Sequence, residues 1–208
     1  MKGLLLKDIY LSAKYCRAYL LIVATFLAAS CVGSGNLFFI FYPCLISGMI
    51  PVTLLGYDER SKWNEYCGTL PYTGAQIVSG KYWIGLLVQI LVLVLSAAVQ
   101  AVRMHLSGVF SVEAYAALLA MLLILSCVTA AIPLPFMFRF GVEKGRVAYY
   151  VMLGFVSGGS ALAASIFRDD LRLSVGMNTL LILLCIAAVG VYALSWRLSI
   201  VLYEKRKK

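Results

Sequence analysis

The residues with chemistry to offer are few and poorly placed for it. A single histidine, His105, stands near Arg103, so no two imidazoles can share a zinc ion and an intramembrane metalloprotease is excluded. Six cysteines, Cys16, Cys31, Cys44, Cys67, Cys127 and Cys185, form no Cys-x-x-Cys pair. Most fall in apolar runs where a thiol packs as a small hydrophobe, so no metal site and no disulfide framework is expected. Gly80-Lys81 is the nearest approach to a phosphate-binding loop, but Tyr82 stands where a Ser or Thr would reach Mg, and Ala75 where the first glycine belongs. Inside the apolar runs only hydroxyls, Gln89, Gln100, Asn178 and, at the very end of the first run, Asn36 are polar, too little for a proton relay or a catalytic dyad. No catalytic residue is expected, and energy for any transport must come from a separate polypeptide.

The elements around these residues are set by the solvent. With 62% hydrophobic and 13% charged residues in 208, the composition is that of a membrane protein. Runs of about 20 apolar residues suffice to cross a bilayer as helices. Six such runs can be cut out, Tyr19–Asn36, Leu37–Leu55, Tyr82–Val102, Ala114–Phe138, Val147–Phe167 and Val175–Trp196. The expected fold is an all-α integral membrane protein, one domain over 1–208 with six transmembrane helices, the first two joined by a turn at Gly33-Ser34-Gly35-Asn36.

Orientation follows the basic residues. Lys2, Lys7, Lys14 and Arg17 precede the first run, Arg60, Lys62 and Lys81 follow the second, Arg139, Lys144 and Arg146 the fourth, and Arg197, Lys205, Arg206, Lys207 and Lys208 the sixth. The opposite loops hold only Arg103, Arg168 and Arg172. Basic short loops are retained in the cytoplasm, which places both termini and the long loop 56–81 inside. The net charge of +9 then reflects topology and contact with anionic lipid, with no nucleic-acid partner expected. A cleaved leader ending near Ala28-Ala29-Ser30 is not expected, because its charged flank would extend to Arg17.

The loop 56–81 has the most organised extramembrane sequence. Asp58 and Glu59 suit a helix start. Trp63, Tyr66, Cys67 and Leu70 recur at helical spacing before Pro71, and Thr73 with Gln76 is a capping-box pattern opening a second helix. Residues 1–17 read as a basic amphipathic helix, with Lys7, Lys14 and Arg17 on one side and Leu4, Leu11 and Tyr15 on another. Gly154 and Gly158 give the fifth run a small-residue surface for close helix approach, within the chain or between two chains. In the second run Phe38, Phe41 and Tyr42 align with Leu45 near Pro43 and Pro51, as a substrate path or as lipid anchors.

The run Asp58-Glu59-Arg60-Ser61-Lys62-Trp63-Asn64-Glu65-Tyr66, then Thr69-Leu70-Pro71-Tyr72, Ile77-Val78 and Gly80-Lys81-Tyr82, resembles the cytoplasmic loop of ABC type 2 transporter permeases. Length, six spans and a Lys-rich N-terminal helix carry the resemblance over essentially the whole chain, to the short bacterial branch that includes phenol-soluble modulin exporters and lantibiotic-immunity permeases. It implies a plasma-membrane permease subunit, not itself an enzyme, paired with a second copy or a homologous permease. Separate ABC ATPase subunits would bind ATP and Mg. It also implies that 1–17 is a connecting helix and that Asp58, Glu59, Lys62, Trp63, Tyr66 and Leu70 belong to a coupling helix facing the ATPase. Such a complex exports a hydrophobic or amphipathic substrate. The alternative is a non-transport membrane interaction or assembly protein, which needs the spans but no coupling surface.

Overall fold

The computed structural model describes residues 2–15, 17–32, 37–67, 69–108, 111–166 and 177–207, with most side chains of 156–166 and some near the helix ends outside that description. These residues form α1 Lys2–Tyr15, α2 Arg17–Val32, α3 Leu37–Ser47, α4 Met49–Arg60, α5 Trp63–Cys67, α6 Gly74–Leu106, α7 Val112–Ala131, α8 Pro133–Phe140, α9 Val142–Ile166 and α10 Met177–Lys207. The expected turn at 33–36, Cys16, Arg168 and Arg172 lie outside the described residues.

Prolines decide where the long apolar runs break. Pro51 has no N–H to donate to the Ser47 carbonyl and its ring would press on that carbonyl, so α3 stops at Ser47 and α4 begins after Gly48. A side chain at Gly48 would come within 2.9 Å of Thr129, so the break also lets the chain lie tightly on α7. Pro133 and Pro135 divide α7 from α8 in the same way, Pro133 taking the first helical position, which has no use for an N–H. Gly141 turns the chain from α8 into α9 at φ +90°, a conformation that favours glycine. Gly145 then lies so close to Met137 that a Cβ there would collide with it.

Among the described residues, Phe38–Arg60, Gly74–Leu106, Val112–Phe140 and Leu181–Lys205 are long and apolar enough to cross a membrane. A fifth is added if α1 and α2, bent by 63° to one another, count as one broken span. The core joins α6, α7, α8 and α10 through Val78, Tyr82, Ala130, Leu134, Phe138 and Tyr192, while α2, α3, α6 and α7 meet around Val23, Ile40, Val92 and Leu122.

Several expected boundaries move. The second run does not end at Leu55, because nothing between Leu55 and Arg60 breaks a helix, and α4 continues to Arg60. Asp58 and Glu59 are therefore in the last turn of a helix and not at the start of one. The chain leaves α4 through Lys62, in the left-handed region at φ +53°. The next helix ends at Cys67 and leaves Leu70 in a turn, since the residue before a proline is pushed away from helical geometry. His105 sits exposed in the last turn of α6 and not in a loop. The capping box forms as read: the Gln76 N–H donates to Thr73 Oγ1 and the Thr73 N–H to Gln76 Oε1, both at 3.3 Å. The helix it starts runs 33 residues, so Lys81 lies inside it.

Candidate functional site

One end of the bundle gathers α1, the end of α4, α5, the start of α6, the α8–α9 turn and the end of α10. Leu4, Asp8 and Leu11 share a face of α1, at a spacing of four and three residues. That face packs on α4 and α6, where Leu11 joins Ile50, Leu54 and Ile84. The basic side read from the sequence is divided: Lys7 turns into the protein while Lys14 and Arg17 stay exposed.

Asp8 and Lys7 meet Asp58 of α4 and Lys81 of α6 in a closed ring of alternating sign. Lys81 Nζ donates to Asp8 Oδ1 at 2.7 Å and lies 2.5 Å from Asp58 Oδ2, and Lys7 Nζ donates to Asp58 Oδ1 at 2.7 Å. The ring closes between Lys7 and Asp8 at 3.4 Å. Asp8, Asp58 and Lys81 are only 2%, 4% and 3% exposed. Isolated charges at such depth would cost several kcal/mol each, so two cations and two anions, each with two opposite neighbours, form an arrangement that tolerates burial.

The loop attaches to this ring at both roots. Lys7 Nζ lies 4.0 Å over the Trp63 ring, a cation–π contact, and the Tyr66 ring lies 5.5 Å from that of Trp63. Cys67 is buried and Leu70 half-buried, whereas Tyr66 is 59% exposed and Lys62 and Glu65 are exposed. Glu59 reaches away from the ring and accepts the Val142 N–H at 3.0 Å. That is the first turn of α9, where a carboxylate complements the helix dipole. A groove of about 380 Å³ runs beside this contact, lined by Glu59, Arg60, Lys144 and Arg146 among others.

Above the ring, hydroxyls join α6 to α10. Ser195 Oγ donates to the Ala131 carbonyl at 2.6 Å, which the Pro135 ring leaves without its helical partner. With that proton committed, Tyr82 donates to Ser195 and Ser199 to Tyr82, both at 2.7 Å. Tyr192 donates to the Tyr82 carbonyl at 3.0 Å, and Trp196 Nε1 to Ser79 at 3.0 Å. All these partners satisfy one another, and the network serves as a clamp.

Farther along the bundle, Phe38, Phe41 and Tyr42 come together as the sequence aligned them. With Leu45, Leu125 and Gly154 they line an open apolar groove of about 680 Å³. Tyr42 is packed by Phe26 at 4.3 Å and Phe38 at 5.1 Å. A side chain added at Gly154 or Gly158 would meet no atom within 4 Å.

Sequence reasoning missed the ring. Its signal was present in Asp8 between Leu4 and Leu11 on one face, and in Lys81 beside the apolar run that Tyr82 opens. Each carboxylate of the ring is matched by two cations, and what the ring does is fix three helices and the root of a loop.

The profile of ABC-2 family transporter proteins matches residues 3–204. No curated protein and no solved structure matches the chain. From the first turn of α1 to the end of α10, then, the chain belongs to the ABC-2 transporter family and is a multi-pass membrane permease subunit of an ABC transporter, without an ATPase site of its own.

Proposed function

We propose that the loop 56–81 docks a separate ABC ATPase and that the chain exports a hydrophobic or amphipathic substrate when that ATPase binds ATP and Mg and closes. The observation that carries this reading is an exposed aromatic, Tyr66, on a short helix whose two roots are fixed. Asp58 and Lys81 hold α4 and α6 in the ring, and the Thr73 box caps the start of α6. A partner pressing on Tyr66 would move helices and not merely a loop. Five residues are too few for a helix that lies on lipid by its own amphipathicity, which favours docking over simple anchorage at the headgroups.

The remaining parts follow. The end carrying the loop and both termini faces the cytoplasm of a bacterial cell, as the basic residues direct, and α9 supplies the fifth of six spans. Two permeases, identical or homologous, surround the path. Phe38, Phe41 and Tyr42 line it on the outer side, where an apolar groove suits greasy substrates such as amphipathic peptides of the phenol-soluble modulin type or antimicrobial peptides.

The chain should co-purify with the ABC ATPase of its transporter, and inverted vesicles holding both should take up an amphipathic helical peptide only with ATP. A complex without an ATPase would favour the interaction or assembly role instead. Orientation is checked by a cysteine at exposed Lys62, which should resist an impermeant thiol reagent in intact cells.

A further inference from the structure

Lys7 is the member of the ring that also touches the loop. Its three ammonium protons face Asp58 at 2.7 Å, Asp8 at 3.4 Å and the Trp63 ring at 4.0 Å. It is also the outermost of the two cations, its side chain 22% exposed against 4% for Lys81. The two lysines therefore differ in what their loss would do. Without Lys81 both buried carboxylates lose their central cation. Without Lys7, Lys81 still bridges Asp8 and Asp58, so the joint between α1, α4 and α6 is weakened but keeps its central cation. What disappears is the cation–π contact between α1 and α5.

We propose that Lys7 is a positioning residue for coupling: through Trp63 it holds the α5 loop in register with α1, so that a push on the loop displaces α1 together with α4 and α6. The inference rests on the reading of this loop as the ATPase docking element. The charges make the link directional. A guanidinium could replace the ammonium, because it also pairs with carboxylates and stacks on aromatic faces. Methionine could replace only the stem, covering the ring from water while leaving Trp63 unheld. A purely space-filling Lys7 would tolerate methionine without any change in the loop.

Electron–electron distance measurements on the full chain in lipid nanodiscs test this, with spin labels at exposed Glu65 in α5 and exposed Ala13 in α1 and the native thiols replaced. The wild type and Lys7→Arg should give one narrow distance distribution, and Lys7→Met a clearly broadened one. Trp63→Leu, which leaves all four charges in place, should broaden it equally and carries the test if Lys7→Met does not accumulate. In the complex with its ATPase, Lys7→Met should hydrolyse ATP while moving severalfold less peptide per ATP, and Lys7→Arg should restore the ratio. An unchanged distribution in both Lys7→Met and Trp63→Leu, or an unchanged transport ratio in Lys7→Met, overturns the proposal. Failure of the wild-type chain to bind any ATPase would instead sink the docking reading, and would show before any variant is made.

Discussion

The segment α3–α4 is held at its two ends by opposite means. At Asp58 it meets α1 and α6 through charges within 2.7 Å, buried and fully paired. At Phe38 and Tyr42 it meets α2 through aromatic rings 4.3 to 6.0 Å apart, beside an open groove. Charge pairing fixes position and direction, and one lost partner leaves a buried charge unmatched. Ring packing is graded, and neighbouring side chains can fill for one another. A transporter needs both: a stiff end to receive displacement and an adaptable wall for apolar cargo.

Breaking the stiff end should have the largest effect. Asp58→Asn removes the anion shared by both lysines and should cost about 3–5 kcal/mol, as for other broken buried ion pairs. Thermal unfolding in detergent, or loss of membrane-inserted protein, would read it. Gly145→Ala drives a methyl into Met137 at the α8–α9 turn, and overpacking of this kind should cost about 1–3 kcal/mol by the same measurement. Thr73→Ala deletes one half of the capping box and should cost about 1 kcal/mol, without loosening the ring. Phe38→Ala acts on a residue 59% exposed and should change stability by about 0.5 kcal/mol or less, while altering peptide transport. If Phe38→Ala proves more destabilising than Asp58→Asn, the contrast between the two ends is wrong.

The sequence made the second, third, fourth and sixth apolar runs, the capping box and the aromatic face of α3 legible, because each is a local signal: a continuous apolar stretch, a helical spacing or a pair three residues apart. It did not reveal the ring, because Lys7 and Asp8 are 50 and more residues from Asp58 and Lys81, and nothing local pairs them. It also misplaced Asp58. A carboxylate near a helix end reads as a cap by propensity, yet here two lysines from other helices hold it and α4 continues past it. Trp63 was legible as an aromatic on a short helix but not as a residue held by Lys7. This shifts the weight of the proposed docking face toward Tyr66, whose ring stays open to a partner.

The most direct test of the account compares ATPase affinity for two truncated aromatics in nanodiscs, Tyr66→Ala at the loop and Phe38→Ala at the groove. An interface anchor lost at Tyr66 should weaken binding by about 2 kcal/mol, roughly thirtyfold, and Phe38→Ala should bind as the wild type does. Wild-type affinity for Tyr66→Ala, or a loss confined to Phe38→Ala, would contradict it.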